Sequence, residues 1–303
     1  MSGADVSALV VEGGAMRGVF STGLLDGFLE RRFNPFACFV GVSAGAGNLA
    51  AYLAEMPGRN LRVYTDYSLR PEFLDFARFL RGGHLMDLDW LWRTTISEIR
   101  LDLDRIYARR KPLIVCLTDV LAGKAVYRET DAGNLEQTLK ASSALPILYR
   151  GFPLVDGRPM ADGGLTDGIP VGEAIRRGAS RIMVVRSRPR NYEKRESFLQ
   201  RVMRWKMREW PQLTAAVAQR VERYNEAVAL IRRPPLGVSV VEICPPENFR
   251  PSRLSRNPDA LFEGYRQGRD MAEEAMAQWN AAQASEGLRK EDAPSRLGDI
   301  SEI

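Results

Sequence analysis

The feature that most constrains the fold is a Gly-x-Ser-x-Gly turn that follows a short apolar segment. Residues 38–42 read Cys-Phe-Val-Gly-Val, residues 41–45 read Gly-Val-Ser-Ala-Gly, and an apolar, helix-like stretch follows to residue 54. This order of strand, sharp turn and helix is typical of a nucleophile elbow, with Ser43 at the bend. We expect glycine at 41 and 45 because the two backbones come too close there for a Cβ atom. A small-residue turn before an ordinary helix explains the same residues, so other segments must decide.

A second glycine-rich turn lies closer to the N-terminus. Residues 8–12 predict a buried strand, residues 13–18 read Gly-Gly-Ala-Met-Arg-Gly, and an amphipathic helix is predicted to about residue 31. A dinucleotide-binding fold begins in the same way. That interpretation is weakened because the second strand ends in Gly-Val-Ser and not near a ribose-binding carboxylate. Successive amides in such a turn also suit an oxyanion hole that the serine turn completes.

An aspartate followed by two glycines ends a predicted hairpin. Residues 156–157 are an Asp-Gly turn, and the arm after it runs into Asp-Gly-Gly at residues 162–164. A carboxylate held beside bare glycines can approach a neighbouring loop closely, although Asp-Gly is also common in ordinary turns. Other strands, including a hairpin turning at residues 122–123, alternate with helices, which favours an α/β fold with a mainly parallel central sheet.

Four segments, taken together and in order, resemble the signature blocks of patatin-like phospholipases: residues 13–18, 41–45, 141–146 and 162–164. The resemblance extends over about residues 7–190. It implies a three-layer sandwich with helices on both faces of the sheet. It also implies hydrolysis of acyl esters of lipids by a Ser-Asp dyad without histidine. Separately, the single histidine gives little support for a zinc site, and we expect no metal and no cofactor.

The same resemblance assigns roles to individual residues. Ser43 is implied as nucleophile, Asp162 as base, and the oxyanion donors as the amides of Gly13, Gly14 and Ala15. The family usually has a third loop glycine where this chain has Ala15, whose amide still donates if its φ is negative. Arg17 could attract a phosphate head group or brace the loop by hydrogen bonds to carbonyls. A Ser-His-Asp triad would have to use the single histidine, His84, in a predicted loop.

Composition and pattern suggest a cytoplasmic protein, which could associate peripherally with the inner face of a membrane. The N-terminus lacks a leader pattern and no apolar run reaches ~18 residues. We expect one domain over residues 1–283, with a helical, cap-like insertion at about 51–110 and a polar, disordered tail at 284–303.

A net charge of +5 leaves room for an anionic membrane partner, and we expect no nucleic-acid partner. One helical segment is rich in basic residues, and its apolar stripe could lie on an anionic membrane or pack on the domain: Arg201, Arg204, Lys206 and Arg208. Two alternatives to the hydrolase remain, namely a non-catalytic membrane-binding module and a dinucleotide-binding oxidoreductase.

Overall fold

The computed structural model describes residues 6–291 as a sheet covered by helices. The strands are β1 (Val6–Val11), β2 (Cys38–Val42), β3 (Leu113–Asp119), β4 (Lys124–Glu129), β5 (Leu154–Val155), β6 (Arg158–Asp162), β7 (Ala179–Val185) and β8 (Ser239–Ile243). The helices of the first part are α1 (Val19–Glu30), α2 (Ala44–Leu53), α3 (Arg59–Arg62), α4 (Phe76–Leu80), α5 (Leu88–Ile99), α6 (Leu103–Ala108) and α7 (Leu135–Ser142). Those that follow are α8 (Val171–Arg176), α9 (Phe198–Lys206), α10 (Pro211–Ala218), α11 (Arg220–Arg232), α12 (Pro258–Asp270) and α13 (Ala272–Glu291).

The sheet is mainly parallel, as the alternation of strands and helices predicted. The order of hydrogen-bonded neighbours is β5-β6-β3-β2-β1-β7-β8, and β4 pairs with β3 outside this order. β1, β2, β3, β7 and β8 are parallel to one another, whereas β4 and β6 run antiparallel to β3. The predicted Asp-Gly turn joins β5 to β6 with positive φ angles of 52° at Asp156 and 74° at Gly157.

Helices cover both faces of the sheet because alternate strand residues point to opposite sides. On one face, Leu9 and Phe39 pack in a core shared with α1, α2 and α13. On the other face, Val10 and Val40 pack against α8 and α11. The predicted three-layer arrangement is therefore confirmed.

The pairing along β3 explains how distant residues meet. One edge of β3 pairs with β4, and its other edge is shared by β2 and β6. β2 ends with Val42 opposite Cys116, and β6 ends with Asp162 opposite the next residue, Leu117. The residue that follows β2 and the residue that ends β6 are thus adjacent at one point of the sheet.

The C-terminal helices extend past residue 283, the predicted end of the domain. The chain forms two helices, α12 and α13, and α13 continues through Glu291, so the predicted end is too early. Its last residues include alanine, glutamate, glutamine, lysine and arginine, which have high helix propensity. The rest of the predicted tail, residues 292–303, lies outside the described residues. In the part of the chain that is described, each helix is too short or too polar to cross a membrane.

Candidate active site

Ser43 occupies a sharp turn between β2 and α2. Its backbone angles, φ 53° and ψ −130°, lie outside the regions that side-chain-bearing residues usually adopt. A Cβ at Gly41 would lie 2.7 Å from the Ala46 Cα, and one at Gly45 would lie 2.5 Å from the Val11 carbonyl oxygen. The expectation of glycine at both positions is confirmed, because backbone atoms occupy the space. The turn holds Ser43 in a strained conformation of the kind found at functional sites.

The Ser43 hydroxyl donates a hydrogen bond to Asp162. Its Oγ lies 2.9 Å from Asp162 Oδ2, across 119 residues of sequence. The other carboxylate oxygen accepts the Gly164 amide at 2.7 Å. Ser43 and Asp162 are 8% and 7% exposed, and burial raises the pKa of the Asp162 carboxyl despite the opposing effect of Arg220. A carboxylate with a raised pKa accepts a proton more readily than an exposed one.

Ser142 connects the serine turn to β3, a contact that the analysis of the sequence did not predict. Its Oγ accepts the Ser43 amide at 2.8 Å and donates to the Cys116 carbonyl at 2.6 Å. The Ser43 amide is therefore already hydrogen-bonded to Ser142. The next amide in the chain, that of Ala44, lies at the start of α2. The only sequence signal for Ser142 was its position in the third family-like block.

The glycine-rich loop lies against the serine turn. A Cβ on Gly13 would be 3.2 Å from the Ser43 Cβ, and one on Gly14 would be 2.9 Å from the Ser187 Cβ. Within residues 6–291, the amides of Gly13, Gly14 and Ala15 donate to no protein acceptor. The condition of a negative φ at Ala15 is not met, because this residue has φ 48° where the chain turns into a short 3₁₀ helix, Ala15–Gly18. Its amide nevertheless has no protein acceptor among the described residues and can still donate. The left-handed conformation costs on the order of 1–2 kcal/mol for alanine.

Arg17 braces this loop. Its Nε donates to the Ser187 carbonyl at 3.2 Å, and one terminal nitrogen reaches Ser187 Oγ at 3.4 Å. The other terminal nitrogen, Nη1, is buried and has no hydrogen-bond partner among the described residues. Of the two predicted roles, the structure contains the hydrogen bond to a carbonyl.

A buried ionic network anchors the residue that precedes the loop. Glu12 Oε2 lies 3.2 Å from Arg186 Nε and accepts the Ser187 amide at 2.7 Å, while Oε1 accepts the Tyr224 hydroxyl at 3.0 Å. Although burial raises the pKa of Glu12, the Arg186 charge is the main cause of a net decrease. Both oxygens of this carboxylate are therefore already bonded within the protein.

Ser43 and Asp162 line a cavity of about 400 Å³. Part of its wall is apolar and comes from the segment between β2 and β3 and from the residues after α7, including Phe73, Leu88, Trp92, Leu145 and Leu148. Cavities of this size and character accommodate small apolar ligands. The residues described here include no cluster of three histidine, cysteine or carboxylate side chains that could hold a metal ion.

His84 is engaged elsewhere. Its Nδ1 accepts the Arg150 amide at 2.8 Å, and its ring stacks on Tyr149 with the centroids 4.3 Å apart. His84 is absent from the described lining of the cavity that contains Ser43.

Helix α9 combines a buried stripe with an exposed aromatic and basic face. Met203 is fully buried and Gln200 lines the cavity, whereas Phe198 and Trp205 are 74% and 59% exposed. The four basic residues predicted for a membrane contact are exposed as well. The apolar stripe of this segment therefore packs on the domain, and its basic residues lie on the exposed face.

Comparisons with known proteins identify relatives of this chain and a similar fold. A model of the family described as patatin-like phospholipase matches residues 9–175, and a model described as a domain of unknown function matches residues 210–283. The chain is 36% identical over 266 residues to the uncharacterized protein YjjU of Escherichia coli, covering 86% of this chain and 74% of that protein.

Two more distant similarities concern the family and the fold. An uncharacterized NTE family protein of Mycobacterium tuberculosis is 27% identical over 54% of this chain, which spans only 44% of that protein. The crystal structure of VipD from Legionella pneumophila has a similar fold, with a TM-score of 0.52 and 15% sequence identity. That similarity covers 92% of this chain and 67% of VipD.

Proposed function

This chain belongs to the patatin-like phospholipase family, and on that premise we propose that it is a serine acyl hydrolase that uses a Ser43–Asp162 dyad on phospholipids or lysophospholipids. Family membership supports a lipid acyl hydrolase in general. The observation that carries the finer proposal is the 2.9 Å hydrogen bond from Ser43 to the buried Asp162 carboxylate.

In the first half of the reaction, Ser43 forms an acyl-enzyme. Its Oγ attacks the ester carbonyl carbon while its proton passes to Asp162 Oδ2. The carbonyl oxygen becomes an oxyanion beside the Gly14, Ala15 and Ala44 amides, and such donors contribute about 3–4 kcal/mol each to transition-state stabilisation. The intermediate then collapses, and the departing alcohol takes the proton from Asp162.

In the second half, water releases the acyl group. Asp162 accepts a proton from a water molecule, whose oxygen attacks the acyl carbon, and the intermediate collapses with the proton returned to Ser43. The products are a carboxylic acid and the free enzyme. Burial favours this role for Asp162, because its raised pKa makes it a stronger base than an exposed aspartate.

Replacing the dyad tests the proposal. We expect Ser43→Ala and Asp162→Asn to lower kcat/KM on a nitrophenyl ester by at least about 10³-fold, in line with losses measured when a nucleophile or base is removed. Ser43→Ala should also lose labelling by a fluorophosphonate, and mapping of the labelled peptide should place the adduct on Ser43.

Asp167→Asn is the matched control. Asp167 is a nearby carboxylate whose pKa is also raised by burial, but it accepts the Tyr127 hydroxyl at 2.7 Å and not Ser43. The folded control should retain activity. Full activity of folded Ser43→Ala or Asp162→Asn would contradict the dyad. If the parent is inactive, and parent and Ser43→Ala bind anionic vesicles equally well, the membrane-binding module is favoured instead.

A further inference from the structure

Five basic side chains from separate parts of the chain line the same cavity as Ser43. They are Arg17, Arg188, Lys194, Arg220 and Arg253. Three are in segments that follow the carboxyl ends of β1 and β7, one begins α11, and one follows β8. The topology therefore collects positive charge on one side of the nucleophile.

These cations lack carboxylate partners. Among the described residues, none of the five forms an ion pair within 4 Å, although twenty-one such pairs occur elsewhere. The two acidic residues of the lining are Glu12 and Asp162. Glu12 is already bonded to Arg186, Ser187 and Tyr224, and Asp162 to Ser43 and Gly164. Asp162 attracts Arg220 and Arg253 from beyond ion-pair distance, and Glu12 attracts Arg17 in the same way. The lining therefore holds these five cations against two carboxylates and carries a net positive charge.

Arg17 and Arg220 are buried, and Lys194 and Arg253 are half-buried in the same cavity wall. Burial and the charge of Arg253 lower the pKa of Arg17 to about 9. The same two effects lower the pKa of Arg220 to about 10, and the pKa of Lys194 is lowered by burial and by Arg220. Buried like charges are costly unless a counter-charge neutralises them. Nη1 of Arg17 is also buried and has no hydrogen-bond partner among the described residues.

We propose that Arg17, Lys194, Arg220 and Arg253 form a subsite for a phosphomonoester on the alcohol portion of the substrate, so that the preferred substrates are acyl glycerophosphates. This inference rests on the proposed hydrolase function. The apolar part of the cavity takes the acyl chain, Ser43 reaches the ester carbonyl, and the cationic side receives the alcohol portion. A terminal phosphate carries a charge of about −1.5 to −2 and three acceptor oxygens, which suits several clustered donors.

The same charges select against other head groups. A phosphocholine or phosphoethanolamine group would bring its own cation towards the basic cluster, which like-charge repulsion disfavours. A neutral glycerol head group would leave the cations without a counter-charge. The cluster therefore discriminates among lipids by the charge of the head group.

The double variant Lys194→Gln/Arg253→Gln tests the phosphate subsite. Among the described residues, neither side chain makes a hydrogen bond to the protein, whereas Arg220 Nε holds the Gly164 carbonyl at 2.6 Å and Arg17 holds Ser187. Arg256→Gln is the matched control, because Arg256 is an exposed residue of the same loop as Arg253.

Three water-soluble esters measure the preference without a membrane: 1-hexanoylglycerol 3-phosphate, 1-hexanoylglycerol and 1-hexanoylglycero-3-phosphocholine. We expect kcat/KM of the parent to be at least tenfold higher for the phosphomonoester than for either other ester. In the double variant this ratio should fall at least tenfold, and in Arg256→Gln it should stay the same. Equal hydrolysis of all three esters by the parent, or an unchanged ratio in the double variant, would overturn the subsite.

A binding measurement separates failure of the subsite from failure of the hydrolase. Calorimetry with Ser43→Ala should detect glycerol 3-phosphate, and adding Lys194→Gln and Arg253→Gln should weaken this binding at least tenfold. If such binding occurs but the parent cleaves no ester, the hydrolase is wrong and the phosphate site stands. If inorganic phosphate binds as tightly and the parent shows no preference among the esters, the site takes free phosphate and the substrate assignment is overturned.

Discussion

The buried carboxylate of Asp162 is expected to lower the free energy of unfolding at neutral pH. Its pKa is raised, so the native state holds this proton at pH values where the unfolded chain has already released it. Stability therefore decreases as pH rises through that interval, and the full cost is present at neutral pH. The same desolvation that favours proton transfer from Ser43 opposes folding.

We expect Asp162→Asn to raise the free energy of unfolding at pH 7 by about 0.5–2 kcal/mol while it removes activity. The amide is neutral and nearly isosteric, so it imitates the protonated carboxyl. The gain should shrink as pH is lowered towards the range where native Asp162 is protonated. Denaturant melts of parent and variant across pH measure this, and a variant less stable than the parent at neutral pH would contradict it.

His84 should be dispensable for catalysis. Its Nδ1 is occupied by the Arg150 amide, and its ring lies on Tyr149. We expect His84→Ala to keep kcat/KM on a short nitrophenyl ester within about tenfold of the parent, which corresponds to about 1.4 kcal/mol. The acid limb of the pH profile should persist, because Asp162 must lose its proton to act as base. A folded His84→Ala as inactive as Ser43→Ala would instead require a triad.

At the scale of elements, α9 connects the cavity to the solvent-exposed surface. Gln200 lines the cavity, while the outer face carries Phe198 and Trp205. Lys206 Nζ lies 4.7 Å from the centre of the Trp205 ring. Exposed aromatic rings beside cations are typical of segments that lie at a membrane interface. We therefore propose that this face contacts anionic lipid near the cavity.

Charge reversal on α9 and the residues just after it tests this contact. Glutamate at positions 201, 204, 206 and 208 should lower turnover on vesicles containing phosphatidylglycerol at least tenfold, since each basic residue near such a surface contributes about 1 kcal/mol. Turnover on neutral phosphatidylcholine vesicles and on a soluble ester should stay near that of the parent. High salt should reduce the difference between parent and variant on anionic vesicles. Equal loss on the soluble ester would indicate a structural role.

At the scale of the whole molecule, the two segments matched by separate family models pack closely together. A Cβ on Gly23 of α1 would lie 1.9 Å from the Tyr265 carbonyl oxygen, and one on Gly268 of α12 would lie 2.0 Å from the Phe20 carbonyl oxygen. Trp279 of α13 is fully buried and contacts Phe36, with ring centroids 5.0 Å apart. We propose on these contacts that the C-terminal helices and the sheet form one folding unit.

Gly268→Ala should therefore weaken both segments. Because backbone atoms occupy the space, we expect a loss of about 1–3 kcal/mol in the free energy of unfolding. Hydrogen exchange should show α1 and α12 losing protection together. Gly172→Ala on α8 is the control, since the nearest atom to its Cβ, Leu230 Cδ2, is 3.9 Å away. Loss of protection confined to α12 and α13 would contradict a single unit.

The sequence by itself determined the features that depend on neighbouring residues. The Gly-Val-Ser-Ala-Gly turn, the Asp-Gly hairpin and the alternation of strands and helices follow from local sterics and hydrophobic period, and the structure contains all three. The α/β class could be predicted from the alternation, and the family from four blocks taken together, residues 13–18, 41–45, 141–146 and 162–164. Ala15 shows the limit of local reasoning, because the surrounding chain holds it at a positive φ that alanine alone disfavours.

The family resemblance implied that Ser43 and Asp162 act together, but only the tertiary structure decided how they meet and which other distant residues join them. Ser43 and Asp162 meet because β2 and β6 occupy successive positions along one edge of β3, a pairing that no local pattern specifies. Other parts of the chain also contribute to the site: Ser142 bonds the Ser43 amide, and Arg220 and Arg253 line the cavity. No local pattern in the sequence marks the two arginines as residues of the site. The physical reason is that strand order and helix packing are set by non-local contacts, whereas propensity and turn chemistry act over a few residues.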